Sequence, residues 1–213
     1  MSIESNNFVV ANDPVYHVIK RLIDLVGATC GLILASPAMV AIALLIKFTS
    51  KGPVFFKQKR PGRGGRIFDC YKFRTMIVDA EAVLARDPAM RAKFEENFKL
   101  KHDIRITKIG KLLRKTSLDE LPQLINILNG TMSIIGPRPL LMSQMSHYGD
   151  ALHQLLTVKP GLGGYWQTYG RSDTSHEARI QYDLHYVNNR SLILDLKLIF
   201  MTVIVVFKGN GAY

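Results

Sequence analysis

The longest hydrophobic feature of the chain comes early. Residues 25–46 read LVGATCGLILASPAMVAIALLI, with no charged side chain among them. About 20 such residues cross a bilayer core as a helix. A core helix of a soluble protein rarely stays apolar for so long, because one of its faces meets water. Ser36 and Pro37 interrupt the run near its middle. Pro37 cannot donate to the Ile33 carbonyl and its ring crowds it, which predicts a break or kink. The Ser36 hydroxyl can serve the backbone acceptor so freed.

The rest of the pattern is shorter in range. Residues 54–56 and 67–73 read as two strands, joined by a turn at RPGRGGR (60–66). Residues 77–98 read as an amphipathic helix interrupted near Pro88, and 108–115 as a basic helix. A further helix is predicted over about 118–129, stopped by Asn129-Gly130. The apolar run 198–207 is too short to span a bilayer and suits a core element or an interfacial helix. These elements predict a helix-dominated α+β fold. Its parts are an N-terminal extension (1–15), a membrane element (16–50) and one cytosolic or interfacial domain (51–213).

Charge changes the picture of the apolar run. Lys20 and Arg21 precede it, and Lys47, Lys51, Lys57, Lys59, Arg60, Arg63 and Arg66 follow it. Basic flanks favour the cytoplasmic side. With both flanks basic, a re-entrant hairpin that bends at Ser36-Pro37 and returns suits the chain better than a crossing. Asp24 stands three residues after Arg21, a spacing at which the two can pair on one helix face. Over all 213 residues the net charge is +11, which asks for a polyanion: nucleic acid, an anionic membrane surface or phosphorylated substrates. The two cysteines, Cys30 and Cys70, show no metal-ligand spacing, which argues against a structural zinc site and for a reducing compartment. The N-terminal stretch lacks the pattern of a cleavable signal peptide.

The stretch RKTSLDELPQLINILNG (114–130) carries the candidate chemistry. Ser117 and Glu120 have capping-box spacing, and Asp119 could alternatively cap a helix containing Pro122. Either way, Asp119 and Glu120 fall in a first helical turn, where acidic residues are ordinary stabilisers. The same positive helix end also attracts phosphate. An ionised carboxylate there can attack phosphorus to give an acyl phosphate, and its neighbour can hold Mg²⁺. Arg114 and Lys115 lie just upstream and can neutralise phosphate charge.

Three more basic elements are candidates. Pro137-Arg138-Pro139 aims one guanidinium from a rigid loop, or simply leaves it solvated. Lys72 and Arg74 alternate along a strand, facing a ligand or lipid headgroups. The glycine-rich loop KPGLGGYWQ (159–167), followed by Gly170-Arg171, can cradle a phosphate or nucleotide.

In this order KRLIDL, the Ser-Pro run, GPVFFKQKRPG, YKFRTM, TSLDELPQLINIL, IIGPRP, VKPGL and the final Gln and Gly-Arg resemble the bacterial sugar transferases called monotopic phosphoglycosyl transferases. The resemblance covers residues 16–213 and implies a re-entrant helix broken at Ser36-Pro37. It implies that Asp119 attacks the β-phosphorus of a UDP-sugar and releases UMP. The phosphosugar then passes to polyprenyl phosphate. By the same resemblance Glu120 binds Mg²⁺, and Arg114, Arg138 and Arg171 contact phosphate or substrate. Lys72 and Arg74 sit in the family's Lys-Phe-Arg motif. The C-terminal stretch resembles the branch that transfers galactose or glucose 1-phosphate. The family setting is the cytoplasmic face of the bacterial inner membrane, in exopolysaccharide or lipopolysaccharide synthesis. Its partners are a UDP-sugar, a polyprenyl phosphate and membrane lipids, without nucleic acid, and a homodimer is compatible with it. Gly163, Ser172 and Arg190 depart from the usual pattern, at positions that bear on sugar or uracil selection. The competing functions are a non-catalytic binder of anionic lipid or nucleic acid and a membrane-spanning scaffold.

Overall fold

The apolar run forms the middle of one helix, α1 (Pro14–Thr49), in which Pro37 is an interior residue. The computed structural model describes residues 13–97, 100, 103–170 and 174–208. The Asp13 side chain caps α1 by accepting from the Val15 N–H at 2.8 Å, with Pro14 opening the first turn. Ser36 Oγ donates to the Ile33 carbonyl at 2.8 Å, the acceptor that Pro37 leaves without an N–H. The expected interruption is therefore a proline absorbed within a helix, not a non-helical turn between two helices.

Both arms of α1 pack on the same body. Ala28 and Leu32 join a core with Phe68, Cys70, Leu124, Ile127 and Met132. Ile42 and Ile46 join another with Phe73 and Leu113, and Leu121 borders both. Between the arms, Ile33, Leu34 and Val40 are exposed.

Polar anchors fix the N-terminal arm. Arg21 donates to the carbonyls of Ile127 and Leu128 at 2.6 and 2.7 Å. Asp24, 3% exposed, accepts from Ser133 Oγ at 2.9 Å and the Ile134 N–H at 2.8 Å. The pairing of Arg21 with Asp24 suggested by their spacing is thus replaced by separate tertiary partners. The last carbonyls of a helix need donors, and Arg21 supplies them. Tyr16 and Lys20 both donate to Asp195 Oδ2, at 3.0 and 2.9 Å. Asp24→Ala leaves a buried hydroxyl and a backbone N–H unpaired. We expect it to lower unfolding stability by about 2 kcal/mol, read by chemical denaturation in detergent, where an unchanged midpoint contradicts the anchoring role.

Strand β1 (Phe55–Pro61) pairs antiparallel with β2 (Ile67–Phe73), in register from Phe55 opposite Phe73 to Pro61 opposite Ile67. β1 extends beyond the apolar triplet, because a strand with a solvated face accepts Lys57 and Lys59. The reversal is correspondingly tight and uses Gly64 and Gly65 at φ 68° and 75°. Next come α2 (Ala80–Arg86) and α3 (Pro88–Asn97), divided at Pro88 as the pattern predicts, then α4 (Lys108–Lys115). Thr107 caps α4 by accepting from the Gly110 N–H at 2.9 Å. A Cβ at Gly110 would lie 2.0 Å from the Thr75 carbonyl oxygen, so only glycine lets α4 come this close to the end of β2.

The predicted helix over 118–129 is a 3₁₀ turn (Leu118–Glu120) followed by a short helix, α5 (Gln123–Leu128). The remaining elements are β3 (Ser133–Ile135), a 3₁₀ helix (Met142–Tyr148), α6 (Ala151–Leu155), β4 (Gly161–Gly163), α7 (Tyr165–Tyr169), α8 (His176–Asn189) and α9 (Leu192–Lys208). β3 and β4 pair in parallel through Ser133–Gly161 and Ile135–Gly163. Asp195 and Leu198 of α9 are buried while Ile193, Leu196, Phe200 and Val203 are exposed, so this helix is apolar toward both the core and the outside.

Candidate active site

Ser117 sets up the site. It has φ 58° and ψ 13°, and it is the sole non-glycine with positive φ among the described residues. This reversal after α4 leads straight into the turn that carries Asp119 and Glu120. Neither capping reading survives. An N-cap needs extended backbone, Ser117 is left-handed, and the side chains at the starts of this turn and of α5 make no capping bond. α5 starts only at Gln123 and has 6 residues. Side chains, not a helix end, supply the positive field.

Those side chains come from three other elements. Lys72 Nζ, from β2, donates to Glu120 Oε1 at 2.6 Å. Arg138, from the loop after β3, forks onto the same carboxylate, NH2 to Oε1 at 2.6 Å and NH1 to Oε2 at 3.2 Å. Arg114, from α4, is oriented by donating Nε to Thr75 Oγ1 at 2.9 Å. Burial alone would raise the Glu120 pKa, but Arg138 and Lys72 override it and hold this carboxyl well below the usual range. Asp119, 8% exposed, goes the other way. Burial raises its pKa, Glu120 adds to the rise, and Lys72, Arg138 and Arg114 oppose it. Adjacent carboxylates pushed in opposite directions mark a division of labour.

Arg74 lies apart from this pair. β2 ends at Phe73, so the strand alternation that would align Arg74 with Lys72 stops one residue short. Its NH2 donates instead to the Ser50 carbonyl at 2.9 Å and to Ser50 Oγ at 2.7 Å, at the end of α1. Arg171 and Ser172 lie outside the described residues. Gly163 is buried, and a Cβ there would sit 2.8 Å from Thr202 Oγ1, so the glycine makes room for α9. Arg190 donates to the Val187 carbonyl and closes the end of α8.

Sequence reasoning overlooked two site residues. Arg60 donates NH1 to the Pro139 carbonyl at 2.9 Å and so braces the loop that aims Arg138. Burial, with help from neighbouring Arg138, lowers its pKa to about 10. Its place two residues after Gln58 on one strand face was the available signal, masked by the run of surface cations around it. Asp183, from α8, accepts from Tyr148 OH at 3.0 Å. Burial raises it to about 6 against the pull of Arg179, Tyr148 and Arg138.

Four cations, Lys72, Arg60, Arg114 and Arg138, thus gather around two carboxylates. This gathering of cations suits a diphosphate beside a buried carboxylate. The fit to a metal is conditional. Both Glu120 oxygens are already bonded to cations, and the described residues contain no group of three His, Cys, Asp or Glu side chains able to hold an ion. Mg²⁺ commonly takes one or two carboxylates plus substrate phosphates. The donor set therefore suits an ion that arrives with phosphate oxygens, not a resident one.

Known proteins resemble the chain over most of its length. The family model of bacterial sugar transferases matches residues 15–209. The chain is 45% identical over 200 residues to the undecaprenyl-phosphate galactose phosphotransferase of Salmonella typhimurium, covering 92% of this chain and 42% of that protein. It is 43% identical over 204 residues to the UDP-glucose:undecaprenyl-phosphate glucose-1-phosphate transferase of Klebsiella pneumoniae, with 92% and 42% covered. It thus spans about two-fifths of the length of these relatives. With the exopolysaccharide production protein ExoY of Sinorhizobium fredii it shares 41% identity over 204 residues, covering 94% of this chain and 90% of that one. Matched over nearly its whole described length, the chain belongs to the bacterial sugar transferase family.

Proposed function

We propose that this protein moves galactose or glucose 1-phosphate from a UDP-hexose to polyprenyl phosphate, through an intermediate on Asp119. The observation that carries the reading is the acidic pair itself: a buried carboxylate next to one clamped by Lys72 and Arg138. An Asp119 oxygen attacks the β-phosphorus. The bond from that phosphorus to the bridging oxygen breaks, and UMP leaves with its electron pair. An oxygen of the lipid phosphate then attacks the same phosphorus, and Asp119 departs as a free carboxylate. Lys72, Arg114 and Arg138 bind and orient the phosphates, and Arg60 keeps Arg138 in place. The relatives' names support the sugar and lipid classes. A UMP-release assay across UDP-galactose, UDP-glucose and UDP-N-acetyl sugars, with a polyprenyl phosphate acceptor, tests the reading. We expect UMP from one of the first two, and no release from any donor rejects the function.

Glu120 is the proposed Mg²⁺ ligand, and the ion supplies charge neutralisation on the diphosphate. Lys72 and Arg138 then exchange the carboxylate for phosphate oxygens as the donor arrives. EDTA is expected to abolish turnover and excess Mg²⁺ to restore it, whereas full activity in EDTA removes Glu120 from this role.

The membrane reading is monotopic, with the site at the cytoplasmic face of a bacterial inner membrane and the product entering exopolysaccharide synthesis. Both arms of α1 pack on one body, through Ala28 and Leu32 before Pro37 and through Met39, Ile42 and Ile46 after it, with the exposed Ile33 and Leu34 between them. A helix held by one body on both sides of its proline favours insertion into one leaflet over a crossing of a core about 30 Å thick. Cysteines placed at Val15 and at Lys51 should both resist a membrane-impermeant thiol reagent in sealed cells, and labelling of either overturns the topology.

A further inference from the structure

A second group of cations lies at the opposite end of α5 from the acidic pair. Gly130 follows α5 with φ 78°. A Cβ on it would lie 3.6 Å from Arg21 NH2 and 3.7 Å from Lys159 Nζ. Two cationic ends from distant segments therefore face one spot, which glycine leaves open. The turn between β1 and β2 adds Arg63. Its neighbour Gly64 donates its N–H to the Leu156 carbonyl at 2.8 Å, which brings the turn against the segment leading to Lys159.

The charge gathered here is poorly answered. Arg21 spends two of its five N–H groups on α5 carbonyls. Lys20 is paired with Asp195. Asp24 already accepts from Ser133 and Ile134. Arg63 is exposed. Lys159 is half-buried, and among the described residues its ammonium has neither a hydrogen bond nor an ion pair. Burial pushes the Lys159 pKa down and Arg21 adds to the fall, Asp24 opposes it, and Arg63 and Lys20 lower it further. Like charges held this close repel one another unless an anion sits among them.

The surroundings select the anion. The arm of α1 that carries Lys20 and Arg21 exposes Val18, Leu22 and Val26, spaced i, i+4 and i+8 on one strip that runs toward Ile33 and Leu34. A nucleic acid or an acidic peptide sets polar groups against such a strip, whereas a lipid offers a phosphate to the cations and acyl chains to the helix. On the transfer reading, the acceptor phosphate has to reach Asp119, about 9 Å of helix away across α5. The lipid at Gly130 is therefore one that stays in place. A zwitterionic headgroup brings a further cation into a crowded spot, so the fit is to an anionic one.

We propose that Lys159, Arg63 and Arg21 hold the phosphate of an anionic phospholipid whose chains lie along the exposed strip of α1. The site rests on α1 lying in a membrane and is independent of the transfer reaction.

The test is calorimetric titration of the full chain, in an uncharged detergent, with dihexanoyl-phosphatidylglycerol, dihexanoyl-phosphatidylcholine and inorganic phosphate. The glycerol lipid is expected to bind at one site, at least about tenfold tighter than either of the others. Lys159→Gln should weaken it by about tenfold, and Arg63→Gln, being exposed, by about threefold. Lys159→Arg keeps the charge and should keep the affinity. Gly130→Asn tolerates the left-handed backbone and removes no charge, but it fills the spot between the cations and should also lose the lipid. Lys57→Gln, on the exposed β1, should change nothing. Equal affinity for the two lipids overturns the proposal, and so does wild-type affinity in Lys159→Gln. Inorganic phosphate binding as tightly as the glycerol lipid assigns the site to a free anion instead. An equal loss in Lys57→Gln and Lys159→Gln reduces the effect to diffuse charge. The titration needs no turnover, so a chain that selects the anionic lipid but releases no UMP counts against the transferase reading alone.

Discussion

Asp119→Asn is expected to lower UMP release by at least about 10⁴-fold, the scale on which a missing nucleophile is felt. Asparagine keeps the shape and burial of the side chain, but its amide cannot form the anhydride with phosphorus. The fold should not suffer. Burial already disfavours charge at this position, so a neutral isostere is at least as comfortable there. Vesicle flotation and a thermal unfolding profile serve as controls, and both should match the wild type. Turnover near the wild-type level removes Asp119 as nucleophile. Loss of vesicle binding together with activity points instead to a purely structural role.

Glu120→Gln should follow with a loss of about 10³-fold, comparable to removing an oriented electrostatic partner in other active sites. The carboxylate is the counter-charge for Lys72 at 2.6 Å and for the Arg138 fork. An amide offers one oxygen to two cations and turns its NH₂ toward one of them. Both cations then drift from the positions in which they meet phosphate, and the proposed Mg²⁺ ligand is gone. The variant should also need more Mg²⁺ for half-maximal rate. Lys59→Ala is the control, since its ion pair with Asp69 is solvent-exposed and worth little. A Glu120→Gln enzyme with wild-type rate and Mg²⁺ response refutes the assignment.

What the sequence discloses here depends on the range of the interaction. α1 and α4 are legible because a long apolar run and a capped basic segment declare themselves locally. Even the Ser36 bond to Ile33 follows from proline chemistry. The paired strands β3 and β4 have 3 residues each, too few for a period to register. Ser117 is opaque for another reason: no local rule predicts a left-handed serine, and only the surrounding packing selects it. Lys72, Arg114 and Arg138 are legible as basic motifs, yet their convergence on the acidic pair is tertiary. Alternation wrongly joins Arg74 to Lys72 because it assumes a strand that continues. Arg60 and Asp183 escape notice because their neighbours are supplied by distant segments, Pro139 and Tyr148.

The anchors of α1 also constrain how such a chain is made. Tyr16 finds Asp195 across 179 positions, and Asp24 finds Ser133 across 109. α1 leaves the ribosome well before either partner exists. Until then its buried acid and its bare apolar faces need a holding environment, or they invite aggregation. On the monotopic reading proposed above, the bilayer is the place for α1 to wait, with its insertion ahead of the folding of the rest. In that order the membrane works as a scaffold for biogenesis before it serves as a workplace.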